Sequence, residues 1–343
     1  MGVSRRDFLK VSLGSAISIG TSKAFSDHGE NIEIPKRKFG RHPDELSVVG
    51  FGGHTLYLSG SQKDANEITH TAIDHGINFF ENAWDYHEGE AEVYMGKALH
   101  GKRDKVFLMS KFCIYHSSSW FSRYWPNKLG AMKMLEDSLR RLKTDHLDLW
   151  MLHNIKGDDA VKAYEYYGAI EALEEAKKQG KIRYTGFTGH TNPQIHKDII
   201  EGGYAWDATL MPVSVVGALK SREFEKEVMP LCVKKNIAVL GMKGFGGNRR
   251  TSLHAKTNVK EVIRYSLSYP QVCTHVIGID KLEYARQAIA ASSATPMSVP
   301  ERNAAQAIHL TDIDDEIAMN HGGCLYESGC CQGNHQQNED LTS

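Results

Sequence analysis

The amino-acid sequence predicts an α/β fold in which eight parallel strands, each followed by a helix, close into a (β/α)8 barrel. Short apolar runs alternate with amphipathic helical patterns over most of the chain. Seven of the predicted strand ends follow one another at intervals of 23 to 42 residues, the length of a strand–helix unit. The most reactive side chains come directly after strands, where barrels of this kind have their sites.

The predicted strands are short apolar or β-branched runs that end at glycine or polar residues. They are Leu46–Phe51, Ile77–Phe80, Val106–Met109, Leu147–Leu152, Ile182–Phe187, Ala208–Met211, Ile237–Met242 and Thr274–Ile279. A small hairpin, Ile32–Phe39 with a turn at Gly40–Asp44, precedes them. A doubly wound sheet would place a Gly-x-Gly-x-x-Gly motif after the first strand, and Gly50-Phe-Gly-Gly-His54 lacks its third glycine.

A helical pattern follows every strand, with apolar residues at intervals of three and four. Gly180 is a typical helix terminator. The predicted helices are Asp64–His75, with Asp64 as its cap, Gly89–Leu99, Lys128–Leu142, Val161–Gln179, Pro193–Glu201, Glu223–Lys235, Val259–Ser268 and Leu282–Ala291.

Four reactive side chains follow the second, third and fourth predicted strands: Glu81 and Tyr86, then Lys111, then His153. A tyrosine hydroxyl can protonate a carbonyl oxygen that receives a hydride, but its reference pKa is about 10. A neighbouring lysine ammonium stabilises the phenolate, a carboxylate keeps that lysine charged, and a histidine can orient the carbonyl. The quartet therefore predicts carbonyl–alcohol chemistry.

The chain resembles the aldo-keto reductases over about residues 33–295. The matching stretches are Gly76–Phe80, Tyr86, Gly89–Glu92, Gly96–Leu99, Ser110–Lys111, Leu139–Leu142, Leu147–His153, Gly180–Gly186 and Gly241–Lys243. Tyr86, Lys111 and His153 match three members of the family's catalytic tetrad, and Glu81 occupies the position of the fourth, an Asp.

The resemblance implies a TIM barrel that interconverts an aldehyde or ketone and an alcohol with NADP(H), with NAD(H) not excluded. It implies cofactor contacts from strand ends and from the loops after the last strands: Thr188, Met211, Met242, Lys243, Gly244, Gly246, Arg249, Gly278, Asp280 and Arg286. Glycines after the seventh strand can expose backbone N–H groups to a pyrophosphate. We assign no metal ligand in the barrel.

Several positions depart from the family's cofactor pattern. Thr188-Gly189 replaces the Ser-Asn pair that holds the nicotinamide carboxamide, and Leu210 replaces a glutamine. Met242 replaces the stacking tyrosine, and Ile279 replaces a lysine for the 2′-phosphate. An alternative function therefore stays open, in which the barrel is catalytically weak and serves as an exported ligand-binding or accessory protein.

The predicted substrate pocket is rich in aromatic side chains. Trp84 and His87 flank Tyr86, and Trp120 and Trp125 lie in the long loop after the third strand. This composition favours a small carbonyl compound that is partly apolar or bears a ring.

The N-terminus predicts export. Arg5 and Arg6 precede Phe8-Leu9-Lys10 and a weakly apolar segment, which resembles a bacterial twin-arginine (Tat) signal. We therefore divide the chain into a signal peptide (1–26), a barrel (27–310) and a C-terminal tail (311–343), and expect the Tat translocase as a transient partner and the periplasm or exterior as the location.

The composition sets two further limits. The chain has 343 residues, with 41 Lys and Arg against 42 Asp and Glu, a formal net charge of −1. This balance gives no electrostatic reason to expect nucleic acid. No stretch reaches the roughly 18 apolar residues of a membrane helix, so we expect no stable membrane anchor.

The tail contains three of the six cysteines, Cys324, Cys330 and Cys331, together with His321 and His335. It lacks the Cys-x2-Cys-x2-Cys run of an iron–sulfur site. A disulfide suits an exported protein, and a His/Cys metal site is the alternative.

Overall fold

A closed eight-stranded parallel barrel forms the body of the protein, which confirms the predicted fold class. The computed structural model describes residues 33–113, 127–157, 164, 168–216, 221–246 and 257–307. The barrel strands are β3 (Val49–Gly52), β4 (Phe79–Glu81), β5 (Phe107–Phe112), β6 (Leu147–Leu152), β7 (Ile182–Thr188), β8 (Ala208–Pro212), β9 (Ala238–Met242) and β10 (Val272–Gly278). They pair in chain order, and β10 closes the ring against β3.

A helix follows each barrel strand and packs on its outer face. These helices are α1 (Gln62–Asp74), α2 (Glu90–Ala98), α3 (Lys128–Leu142), α4 (Ala169–Lys178), α5 (Pro193–Glu201), α6 (Ser221–Glu223, Phe224–Val228 and Met229–Lys234), α7 (Val259–Leu267) and α8 (Leu282–Ser292). The middle segment of α6 is a π-helix. Residues 299–307 are also helical.

The N-terminal hairpin is confirmed, with a different strand boundary. β1 (Lys36–Lys38) pairs antiparallel with β2 (Glu45–Ser47). The prediction joined the second hairpin strand and the first barrel strand into Leu46–Phe51, but the chain changes sheet near Val48. Phe39 and Leu46 of the hairpin are fully buried in the cluster that fills the barrel interior.

Alternation along the strands aims the reactive side chains at the barrel axis. Phe79 of β4, Met109 of β5 and Met151 of β6 belong to the interior cluster. Side chains two positions apart on a strand share a face. The same face therefore presents Glu81, Lys111 and, one residue past β6, His153 at the carboxyl end of the barrel.

Two predicted helices begin at other residues than the sequence indicated. α1 is capped by Ser61, whose side chain accepts from the Asp64 N–H at 3.1 Å, so Asp64 is a first-turn residue and not the cap. Serine suits that position because its oxygen replaces a missing intrahelical acceptor. The predicted continuous helix at 161–179 is wrong at Gly168, which is left-handed with φ 57° and immediately precedes α4; most of residues 161–167 lie outside the described residues.

The signal peptide and the cysteine tail lie outside the described residues, so both stay predictions. Within the part of the chain that the structure describes, no helix is both long enough and apolar enough to span a membrane.

Candidate active site

Tyr86, Glu81 and Lys111 form one hydrogen-bonded cluster at the carboxyl end of β4 and β5. The Tyr86 hydroxyl donates to Glu81 Oε1 at 3.0 Å, and the Lys111 ammonium donates to the Tyr86 Oη at 3.1 Å. Lys111 also pairs directly with Glu81 and donates to the carbonyl oxygen of Asn82 at 2.9 Å. Lys111 is 1% exposed, so its charge acts at close range with little water to screen it.

The electrostatic balance of this cluster keeps Glu81 ionised. Burial alone raises the pKa of its carboxyl group. The Lys111 ammonium and the hydrogen bonds from Lys111 and Tyr86 outweigh that cost, and the pKa of Glu81 is lowered overall. Glu81 and Lys111 therefore form a buried ion pair with Tyr86 at its open end.

His153 lies edge-on to Tyr86 at the end of β6. The two ring centroids are 5.6 Å apart with a T-shaped arrangement. A backbone hydrogen bond of 2.8 Å from the His153 N–H to the carbonyl of Phe112 extends the sheet by one residue and fixes the backbone of His153. The structure thus brings all four predicted catalytic residues together.

A buried carboxylate that the sequence reasoning missed lies against His153. Asp85 Oδ1 is 2.9 Å from His153 Nδ1, and the Cys113 Sγ is 3.5 Å from the same nitrogen. The ligand-type atoms of these three side chains lie within 4.8 Å of one another. The signal in the sequence was the position of Asp85 directly before Tyr86 and of Cys113 two residues after Lys111.

Two further histidines at the barrel mouth were also missed. His54 follows β3, and its ring meets that of Tyr86 edge-on at 4.9 Å. Burial, with the nearby charges of His87 and Lys243, lowers the pKa of His54 to about 4. His190 follows β7, and burial, with Lys243 and His153, lowers its pKa to about 3. Both imidazoles are neutral at pH 7 and can donate and accept hydrogen bonds.

Backbone strain is concentrated at the same end of the barrel. Among the described residues, six non-glycine positions have positive φ angles, and four follow barrel strands closely: His87 (50°), Glu88 (56°), Asn154 (53°) and Lys243 (59°). Such conformations persist where surrounding packing enforces them, and they cluster at functional sites.

The predicted cofactor positions on β7 to β9 differ in their accessibility. Thr188 and Met242 are nearly buried at strand ends, and Met242 joins the interior cluster. Met211 is fully buried in the outer layer between strands and helices, so its side chain does not reach the barrel mouth. Lys243 is half-buried after β9.

The loops after β9 and β10 contain the remaining cofactor positions. The Gly246 N–H donates to the carbonyl of Lys243 at 2.7 Å, so this N–H closes a turn and does not face a phosphate. Gly244 is buried. Gly278 and Arg286 are exposed and Asp280 is half-buried beside β10, while Arg249 lies outside the described residues.

The predicted substrate residues also differ in their accessibility. Trp84 is fully buried, its indole N–H donates to Asp137 Oδ2 at 3.4 Å, and the Arg141 guanidinium lies 5.5 Å from its ring. Trp84 therefore packs beneath the loop that contains Tyr86 and does not line the substrate pocket. His87 is half-buried and its Nε2 lies 2.9 Å from the carbonyl of His54. Trp120 and Trp125 lie outside the described residues.

A parallel barrel with a tyrosine, a lysine, a carboxylate and a histidine clustered at the carboxyl ends of its strands is typical of the aldo/keto reductases. The sequence model of the aldo/keto reductase family matches residues 48–262, more than half of the chain. The chain therefore belongs to the aldo/keto reductase family.

Three similar proteins illustrate the relationship. The uncharacterized oxidoreductase YqkF of Bacillus subtilis is 28% identical over 313 residues, covering 81% of this chain and 97% of that protein. The aldo-keto reductase AKR11C1 from Bacillus halodurans, in its holo form, has a TM-score of 0.66 and 25% identity over 80% of this chain and 96% of its own. An aldo-keto reductase from Klebsiella pneumoniae in complex with NADPH has a TM-score of 0.64 at 22% identity, covering 80% and 95% of the two chains.

Proposed function

We propose that this protein interconverts an aldehyde or ketone and an alcohol with NADP(H), and that Tyr86 is the general acid and base. The observation that carries the proposal is the hydrogen-bonded cluster of Tyr86, Lys111 and Glu81 at the carboxyl end of the barrel. The family membership and the similar protein in complex with NADPH support it.

Each member of the cluster has a distinct task in the reduction direction. Tyr86 transfers its hydroxyl proton to the carbonyl oxygen of the substrate. The Lys111 ammonium, 3.1 Å from the Tyr86 oxygen, stabilises the phenolate that remains. Glu81 balances the Lys111 charge, which is otherwise costly to bury. His153 donates a hydrogen bond to the carbonyl oxygen and aligns it with Tyr86.

The residues around the barrel mouth fit a nicotinamide dinucleotide. Lys243 provides a cation beside the buried Gly244, and the exposed Gly278 begins the segment that leads to Arg286. His190 has a buried Nδ1 without a hydrogen-bond partner among the described residues, next to the position where the family binds the carboxamide. Thr188, Lys243, His190 and the Gly278–Arg286 segment would hold the cofactor, which when bound supplies the hydride.

The substrate that this site favours is a small carbonyl compound. The neutral His54 provides a polar group beside Tyr86 and the neutral His190 one near His153, and the rings of Tyr57 and His87 stack at 4.6 Å. We propose that the aromatic loop with Trp120 and Trp125 contributes the apolar part of the pocket.

The test is a paired measurement on the purified mature protein. NADPH and NADH binding is titrated by fluorescence, and oxidation of the bound reductant is then followed with a panel of small aldehydes and ketones. We expect tighter NADPH binding and formation of one alcohol per NADPH consumed. Binding of neither cofactor would favour the alternative of an exported ligand-binding barrel. Tighter NADH binding would overturn the NADP preference.

We further propose that the protein is exported through the Tat pathway. The twin arginines Arg5 and Arg6 support this proposal, because that pathway recognises such a pair before an apolar segment. Transport of a folded precursor would allow the barrel to acquire its cofactor before export.

A further inference from the structure

We propose that Asp85 is a positioning residue that holds the imidazole of His153 with a proton on Nδ1, so that Nε2 is the nitrogen that meets the substrate carbonyl. This inference rests on the proposed function of His153. It assigns a role to a carboxylate outside the Tyr–Lys–Glu–His quartet.

The contact between the two side chains is close and shielded from water. Oδ1 of Asp85 and Nδ1 of His153 are 2.9 Å apart, and their side chains are 1% and 6% exposed. A buried carboxylate is costly unless an opposite charge or a hydrogen-bond donor compensates it. The two atoms are not aligned as a hydrogen bond, so the pairing is electrostatic. A proton on Nδ1 brings positive charge to the carboxylate, whereas an unprotonated nitrogen would bring a lone pair close to it.

The local backbone explains how Asp85 reaches this position. The Trp84 N–H donates to the carbonyl of Lys111 at 3.1 Å, which holds the loop against the end of β5. The next residues, His87 and Glu88, have positive φ angles that turn the chain sharply. These two features hold Asp85 against His153 and leave Tyr86 beside Lys111.

A proton on Nδ1 has a chemical consequence for the substrate. When Nε2 also carries a proton, the positive ring is balanced by Asp85 and can donate to the carbonyl oxygen. Rotation of the ring by 180° would place the Cδ2 carbon opposite the carboxylate instead of the Nδ1–H, so the contact with Asp85 disfavours it. The carbonyl therefore meets the same nitrogen in each catalytic cycle.

A metal ion shared by Asp85, Cys113 and His153 is the competing interpretation. Two nitrogen or oxygen ligands of a tetrahedral zinc ion lie about 3.3 Å apart, given metal–ligand distances of about 2.0–2.1 Å. The 2.9 Å separation of Oδ1 and Nδ1 is shorter than this and matches a direct electrostatic contact between the two side chains. The geometry thus favours the carboxylate–imidazole pair.

The first experiment detects the proton without relying on activity. Nitrogen-15 spectra of histidine-labelled protein, assigned with the His153→Gln variant, report which ring nitrogen is protonated. We expect a protonated Nδ1 in the wild type and a mixture of tautomers in Asp85→Asn. An unprotonated Nδ1 in the wild type would overturn the inference, as would one equivalent of zinc that is lost in Cys113→Ala.

The second experiment measures turnover in the same variants. Asp85→Asn should lower kcat at least 10-fold while the Kd for NADPH stays within twofold, because the orientation of His153 matters only for the carbonyl. Asp85→Glu should recover part of kcat. Glu92→Gln is the matched control: it also neutralises a fully buried carboxylate, but Glu92 pairs with Arg141, and kcat of its folded form should stay within twofold.

The outcomes separate this inference from the proposed function. If Tyr86→Phe loses turnover while Asp85→Asn keeps both turnover and the Nδ1 proton, the inference fails and the reductase function stands. If the wild type reduces no carbonyl, the proposed function fails, and the nitrogen-15 spectra still decide the role of Asp85. If Asp85→Asn does not fold, the spectrum of Asp85→Glu replaces it, and an unprotonated Nδ1 in the wild type still overturns the inference.

Discussion

At the scale of single residues, the unusual feature is Glu81 in the place of the family's aspartate. Its longer side chain allows one carboxylate oxygen to contact both Lys111 and the Tyr86 hydroxyl. The hydroxyl proton must turn from Glu81 to the substrate for reduction to occur. Glu81 therefore keeps Tyr86 protonated and oriented until a carbonyl oxygen competes for the hydrogen bond.

Shortening this side chain should reduce activity. Glu81→Asp withdraws the carboxylate by one methylene from a backbone that β4 holds in place, so its oxygen can no longer contact both partners. We expect kcat to fall about 10-fold, less than the roughly 10²–10⁴-fold lost when a general acid is removed, with NADPH binding unchanged. The measurement is steady-state kinetics on one aldehyde, and an equal or higher kcat would show that Glu81 is merely tolerated.

The sequence predicted three catalytic residues from strand periodicity, and the loop residue Tyr86 from its chemistry and the family resemblance. Glu81, Lys111 and His153 lie on the inward face of their strands, and alternation is readable from the apolar pattern. Asp85, His54 and His190 lie in loops after the strands, where no periodicity fixes the direction of a side chain. Trp84 was misplaced for the same reason, because its burial against Arg141 depends on a neighbouring helix.

At the scale of elements, α2 and α3 pack closely enough to restrict one position to glycine. A Cβ on Gly96 would lie 2.2 Å from the carbonyl oxygen of Arg141 and 2.7 Å from the Cα of Leu142. A buried ion pair of 3.1 Å between Glu92 and Arg141 joins the same helices, and Ser110 donates to Glu92 at 2.6 Å. These contacts connect the helix pair to the strand that contains Lys111.

Gly96→Ala should destabilise the fold because the added methyl group meets backbone atoms that cannot rotate away. We expect a loss of about 2–3 kcal/mol in the free energy of unfolding, the upper range for overpacking a core. Urea denaturation measures it. Lys97→Ala, an exposed change on the same helix, is the control and should stay within about 0.5 kcal/mol. A Gly96→Ala protein as stable as the control would contradict the close packing.

The order and type of the elements could be predicted, but several boundaries could not. Amphipathic periodicity identifies α3 and α5 without ambiguity. The division between β2 and β3 was missed because residues 46–51 form one apolar run, and only the barrel closure separates them. The π-helical segment of α6 at Phe224–Val228 has no signature in the apolar pattern of the sequence.

At the scale of the whole molecule, two buried histidines, His196 and His275, and two half-buried ones, His54 and His190, make stability depend on pH. Burial lowers the pKa values of His190, His196 and His275 to about 3 and that of His54 to about 4. The unfolded chain binds their protons near pH 6.5. Their contribution is therefore complete above about pH 6.5 and is lost as the pH falls from 6.5 towards 3.

His196 offers a clean test of this linkage, since its ring lies between Phe187 and Phe224 at 5.1 and 4.8 Å. In His196→Phe, an apolar ring replaces the titrating one. The difference in unfolding free energy between pH 7 and pH 5 should shrink by about 2 kcal/mol, the linkage of one proton over about 1.5 pH units. Denaturant unfolding at the two pH values measures it, and an unchanged difference would refute the assignment.

The proposed export depends on the arginine pair as a unit. Replacing both Arg5 and Arg6 by lysine preserves the charge, and we expect the precursor to remain in the cytoplasm because the translocase requires the guanidinium pair. Cell fractionation with an antibody to the barrel measures the distribution. The single Lys10→Arg change is the control and should leave export intact. Normal export of the double lysine variant would contradict the Tat assignment.

The most direct test of the central claim is the turnover of Tyr86→Phe, measured as NADPH oxidation with any carbonyl compound that the wild type reduces. The variant keeps the ring against His153 and removes only the hydroxyl that donates to Glu81 and accepts from Lys111. We predict a loss of about 10²–10⁴-fold in kcat, the range for general acid catalysis, with the Kd for NADPH little changed. A Tyr86→Phe enzyme with wild-type turnover would show that the protein has the family's fold without its mechanism.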